Sequence, residues 1–135
     1  MRLPAAIFAT IAGLGAPAAA AQDGEPFRVF FDWSKPELTR DAEATLQDVV
    51  AAFRQSQPAR VEVAGHSDRS GPAGINLAAS RRRAEAVKTH LIANGIPAGR
   101  INVSAFGESR PFVPTEDGVR EAQNRRVEIR FEAVP

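Results

Sequence analysis

Cysteine is absent from all 135 residues, which excludes disulfides and a lipid-modified N-terminal cysteine in this sequence. Only two histidines occur, so with no thiolate available a metal site is not expected. Charge of one sign is also missing. Lys and Arg number 17 against 16 Asp and Glu, and without Arg2 the two signs balance. Such a chain has no global positive field to hold nucleic acid or anionic lipid, so whatever it binds is bound through a local site. Nor is there a long hydrophobic run. The one apolar stretch, Leu3 to Leu14, falls short of the roughly 20 residues of a spanning helix. Gly13, Gly15 and Pro17 weaken its far end. Arg2, the apolar run, the alanine tract and Ala19-x-Ala21 together have the layout of a secretory signal over residues 1–21. Removal of that signal delivers the rest to the periplasm or the outside.

Residues 22–26, "QDGEP", read as a short polar linker, and residues 27–133 as one domain. In "FRVFFDW", Phe27, Val29 and Phe31 alternate on one face, as in a strand. "SKPELTRDAEATLQDVVAAFR" has helical spacing at Leu38, Ala42, Leu46, Val49, Val50 and Phe53, with Ser34 or Thr39 as its cap. "RVEVAG" is a second strand, with Val61 and Val63 inward. A second helix is predicted from about Gly74 to Asn94, ending at Asn94-Gly95 with Pro97 beyond. "INVSAFG" is a third strand. In "RRVEIRFE", Val127, Ile129 and Phe131 alternate with Arg126, Glu128 and Arg130, which point outward. The order β-α-β-α-β-β predicts an α+β two-layer sandwich, with two main helices on one face of a mixed four-stranded sheet. Trp33 and the phenylalanines are expected in the core, with Phe106 a candidate to border a pocket.

The second helix carries three consecutive arginines, and helical geometry sorts them. With Asn76 at 0° and about 100° per residue, Leu77, Ser80, Ala84, Val87 and Leu91 define a buried stripe. Arg82 falls opposite that stripe and Arg81 on the surface, but Arg83 falls at its rim, beside Asn76. The loop that carries Asp68 leads straight into this helix, with Gly71 and Gly74 letting it fold back. Asp68, Asn76 and Arg83 can thus line one shallow pocket at the strand-to-helix corner. An Asp68–Arg83 bridge that merely closes the corner is the alternative reading of the same spacing.

These residues also resemble a family. "GHSD" at 65–68, Asn76, "RRAEAV" at 82–87, "FGE" at 106–108 and "NRRVEI" at 124–129 are similar to the OmpA-like C-terminal domain. That is the peptidoglycan-associating module also found in Pal lipoproteins and MotB stator proteins. "VFFDWSKPELT" resembles the approach to that domain's first helix, and the likeness covers about residues 27–133. Ala79, Ala105 and Ser67 depart from the commoner Leu, Gly and Thr, and Ser67 keeps the hydroxyl.

The resemblance implies non-covalent binding of the peptidoglycan stem peptide through meso-diaminopimelate, in the periplasm against the cell wall. By the same resemblance Asp68 holds the ligand ammonium and Arg83 its carboxylate. Asn76 shapes the pocket, Ser67 belongs to the motif, and Arg125 lines the pocket ahead of the last strand. Other envelope proteins are possible further partners, and an envelope adaptor with secondary wall binding is the alternative function. No cofactor and no catalysis are implied. Ser67, His66 and Asp68 lack the second glycine of a nucleophile elbow, and adjacent residues of an extended segment point apart, so this His cannot serve this Ser.

Overall fold

The computed structural model describes residues 24–133; the signal reading over 1–21 and the start of the linker lie outside them. Four strands and two helices alternate as β1 (Phe27–Phe30), α1 (Arg40–Ser56), β2 (Arg60–Gly65), α2 (Ala73–Ala93), β3 (Ile101–Ala105) and β4 (Arg126–Glu132). The sheet order is β1-β4-β2-β3. α2 crosses over between the parallel neighbours β2 and β3, the connection that a parallel pair requires. β4 returns antiparallel between β1 and β2. Inward residues of every strand, among them Val29, Val63, Ile101, Val127 and Ile129, share one core with Leu46, Val49 and Phe53 of α1 and Ala84, Val87 and Leu91 of α2. Both helices therefore cover one face, and the α+β sandwich expected from the element order is the fold observed.

Of the two candidate caps for α1, Thr39 is the one used, so the helix begins at Arg40. The Thr39 Oγ1 accepts from the Ala42 N–H at 3.0 Å. Ser34 sits in a turn with φ 62°. At the far end Gln57 takes the left-handed conformation before Pro58, a conventional stop.

α2 lies close against the sheet. A Cβ on Gly65, the last residue of β2, would stand 2.0 Å from the Ser80 carbonyl oxygen. Only glycine lets the strand end and the helix backbone approach this closely. The buried stripe runs through Asn76, Ser80, Arg83, Ala84, Val87 and Leu91. It is thus centred nearer Arg83 than the wheel predicted, and Leu77, expected inside, is 47% exposed.

Further expectations are corrected: Phe30 and Phe112, expected in the core, are 40% and 42% exposed. Trp33 is not core but 43% exposed; it sits in the turn after β1, its indole N–H on Ser70 and its ring under Arg120. Arg126 does not point into solvent and is buried. The 106–113 segment folds over the outer face of the sheet at that end. There Arg126 donates to Glu128 at 2.8 Å and to the Arg110 carbonyl at 3.0 Å. The Phe112 ring lies against Arg126 and, more closely, Arg28.

Candidate functional site

At the ends of β1 and β2, charged residues converge on one corner. Ser67 and Asp68 come after β2 and His66, and both are buried. Asp68 is saturated. Its Oδ1 accepts from the Ser70 hydroxyl at 2.7 Å and the Ser70 N–H at 3.2 Å. Its Oδ2 accepts from the Glu121 N–H at 3.1 Å and from Arg125 at 2.9 Å. Burial, the largest influence, pushes the Asp68 pKa up. The Ser70 hydroxyl, the Arg125 guanidinium and the Glu121 and Ser70 amides together outweigh it and hold the carboxyl below its ordinary value.

Arg83 reaches the same corner from α2 and is 3% exposed. It donates to three backbone carbonyls, those of Lys35 at 3.2 Å, Asp32 at 3.4 Å and His66 at 3.5 Å, and lies over the Phe31 ring. Among the described residues no carboxylate comes within ion-pair distance of it. Burial lowers its pKa to about 10, the Arg125 charge adds to that, and Asp68 opposes it. The corner therefore holds two guanidinium groups and one carboxylate, and the cation without an ion-pair partner is the more deeply buried of the two.

Arg125 bridges the parts. Its Nε donates to the Phe31 carbonyl at 3.0 Å while Nη1 grips Asp68. Ser67 donates to the Asp68 carbonyl at 2.9 Å. Asn76 turns elsewhere, donating to the Gly71 carbonyl and to Glu108. It fixes the loop ahead of α2 without a hydrogen bond to Asp68 or Arg83. Phe106 stacks on His66 at 5.4 Å. The His66 ring is thus held against Phe106, and the Ser67 hydroxyl donates to the Asp68 carbonyl, not to His66.

The shallow open pocket drawn from the spacing is closed here. The segment 115–121 straps across Asp68. It is held by Arg69, which donates to the Thr115 carbonyl at 3.0 Å and contacts Asp117, and by the Gly118 N–H on the Arg69 carbonyl at 2.7 Å. Trp33 lies alongside, its Nε1 donating to Ser70 Oγ at 3.1 Å, with the Arg120 guanidinium 3.5 Å above its ring. Sequence reasoning missed Ser70, Glu121, Trp33 and Arg120. Ser70 had a local signal, since it stands two residues after an Asp at Asx-turn spacing. Glu121 and Arg120 reach the corner across some fifty residues and had none.

On the far side of Arg125 a cleft of about 440 Å³ runs between β1 and the start of α1. It is lined by Arg28, Phe30, Asp32, Thr39, Thr45 and Gln123, among others.

Residues 30–125 match the OmpA family. An outer membrane protein of Gluconacetobacter diazotrophicus is 43% identical over 109 residues, which are 76% of this chain and 29% of that protein. A peptidoglycan-associated lipoprotein of Rhizobium meliloti is 32% identical over 120 residues, covering 84% of this chain and 68% of that one. The crystal structure of the peptidoglycan-associated lipoprotein from Burkholderia pseudomallei superposes with a TM-score of 0.70 at 26% identity, over 78% of this chain and 89% of its own. The cell wall anchor of the T6SS from Pseudomonas aeruginosa shares the fold, with a TM-score of 0.68 at 23% identity over 90% and 97% of the two chains. The chain spans less than a third of the Gluconacetobacter protein and of the Pseudomonas fluorescens porin F, 29% and 32% respectively.

Proposed function

The chain belongs to the OmpA family, and we propose that it anchors part of the cell envelope to peptidoglycan by gripping the zwitterionic end of meso-diaminopimelate. The observation that carries this reading is Arg83. A buried guanidinium resting on three long carbonyl contacts has lost its water without gaining an anion. Its planar fork fits a carboxylate in two parallel hydrogen bonds. Asp68, at the same corner, offers the complementary anion for an ammonium. Diaminopimelate carries both groups on one carbon, so the pair is a minimal clamp for it.

Binding then requires the closed corner to open. The ammonium takes over Asp68 oxygens now held by Ser70 and Glu121, which means that Trp33 and the 115–121 strap give way. The names of relatives support the setting: they include peptidoglycan-associated lipoproteins and outer membrane proteins. The chemistry of the corner is recognition, with no step of bond making or breaking, and the working place is the periplasmic side of the envelope. A single clamp that must open against its own contacts binds weakly, and many copies facing a polymeric wall strengthen the hold.

Cosedimentation with purified sacculi tests the reading. Wild type and Arg82→Ala are expected in the pellet, with no soluble muropeptides released. Arg83→Ala, checked as folded by circular dichroism, is expected in the supernatant. Equal pelleting of all three, or release of muropeptides, overturns it.

A further inference from the structure

We infer that the cleft along β1 is a second subsite, which takes the extended main chain of the peptide that carries the zwitterion. The inference rests on the clamp reading above and extends it from one amino-acid end group to the chain behind it.

The first observation is the free edge of the sheet. β1 has a single strand neighbour, β4, and the pairing sets Phe27 opposite Ile129, Arg28 opposite Glu128, Val29 opposite Val127 and Phe30 opposite Arg126. Phe31 donates to the Arg125 carbonyl at 2.9 Å in the same register. Hydrogen-bonded positions alternate along an antiparallel pair. Phe27, Val29 and Phe31 therefore face β4, and the N–H and C=O groups of Arg28 and Phe30 face away from it. Among the described residues no hydrogen bond reaches those four groups. They form a two-residue rung, roughly 7 Å long, ready to pair with an added strand.

The second observation is the cleft itself. Arg28 and Phe30 line it, and its opposite wall is the first turns of α1, through Thr39, Asp41 and Thr45. Its volume of about 440 Å³ is within the range of ligand sites. The cleft surface is more apolar than polar, and Thr39, Asp41 and Thr45 set hydroxyls and a carboxylate along its α1 side, a mixture that suits a peptide with both amides and aliphatic groups.

The third observation is continuity. Arg125 lines the cleft and in the same side chain holds Asp68. Asp32 lines it too, and its carbonyl accepts from Arg83. One side chain thus separates the free β1 edge from the clamp. A zwitterion at the end of a side chain has its parent main chain one side-chain length away, which is where the edge lies. A peptide occupying both places pairs its amides with Arg28 and Phe30 while its end group sits between Asp68 and Arg83.

Calorimetric titrations with free meso-diaminopimelate and with a stem tripeptide ending in it test this. Wild type is expected to bind the tripeptide at least about tenfold more tightly than the free amino acid. Thr45→Trp, which fills the cleft from α1, is expected to remove that advantage and leave binding of the free amino acid unchanged. Gln123→Trp, on the exposed rim, does the same should Thr45→Trp fail to fold. Equal affinity of wild type for both probes overturns the inference, as does a full tripeptide advantage in both variants. So does a concentration-dependent dimer by sedimentation that the tripeptide cannot dissociate, since the edge then belongs to a second copy. Tripeptide binding that Thr45→Trp abolishes but Arg83→Ala spares leaves the subsite standing and removes the clamp.

Discussion

Arg125 is the cation that holds Asp68, at 2.9 Å, while Arg83 stands beside the pair on carbonyl oxygens alone. The strongest charge contact of the corner is therefore between the end of β2 and the approach to β4, and the helix contributes the cation that is still open to an anion. This division of labour sets different expectations for the three residues.

Asp68 closes the fold as well as the site. Its side chain is 4% exposed and that of Arg125 12%, so Asp68→Ala strands two cations in a nearly dry corner. Breaking such a pair costs about 3–5 kcal/mol. Urea unfolding is expected to show a loss of that order for Asp68→Ala and a smaller one for Asp68→Asn, which keeps a single acceptor oxygen for the Ser70 donors.

His66 makes stability fall in mild acid. Burial, helped by the Arg126 charge, lowers its pKa from 6.5 to about 4, and its Nδ1 meets no hydrogen-bond partner. The unfolded chain takes up a proton near 6.5 and the folded one resists until about 4. Stability is thus constant above 6.5 and declines as pH drops through that window, by roughly 3 kcal/mol at most. Asp68 and Glu128, both held below their ordinary values, lose their contributions at still lower pH. Urea midpoints measured against pH are expected to slope between about 6.5 and 4. In His66→Phe that slope disappears and the steeper acid loss remains.

Gly65 and Gly74 separate contact from conformation. Gly65→Ala drives a Cβ to 2.0 Å from the Ser80 backbone, beyond ordinary overpacking, and is expected to cost at least about 3 kcal/mol. Gly74, in the first turn of α2, has nothing within 4 Å of such a Cβ. Gly74→Ala is expected to stabilise by about 0.5–1 kcal/mol. Thermal unfolding of the two variants reads both signs.

The order of elements and the inward strand residues were legible because each follows from period-2 or helical spacing. Four features were not. Leu77 satisfied the helical period, yet the contact of Gly65 with Ser80 rolls α2 so that Arg83, not Leu77, faces inward. Arg126 alternated like an outward strand residue, but a long loop covers that face and gives it Glu128 and a carbonyl. The Asp68–Arg83 relationship was legible as proximity and not as pairing. The partner that wins, Arg125, is brought in by β4 inserting between β1 and β2, a topological fact that no local spacing carries. Trp33 read as core, although the turn after β1 leaves it 43% exposed, bonded to Ser70 and stacked under Arg120.

Trp33 is the single tryptophan of the chain, so its fluorescence reports on the corner alone. Its Nε1 bonds Ser70, which in turn bonds Asp68. Titration with meso-diaminopimelate is expected to shift its emission as that chain of hydrogen bonds is broken. Saturable binding with unchanged emission would show that the Trp33 side stays shut.

The most direct measurement is the affinity of folded wild type, Arg83→Lys and Arg82→Lys for meso-diaminopimelate by calorimetry. Lysine keeps the charge and removes the fork. Arg82→Lys is expected to bind like wild type and Arg83→Lys at least about tenfold more weakly. Undiminished binding by Arg83→Lys contradicts a guanidinium grip on the ligand carboxylate.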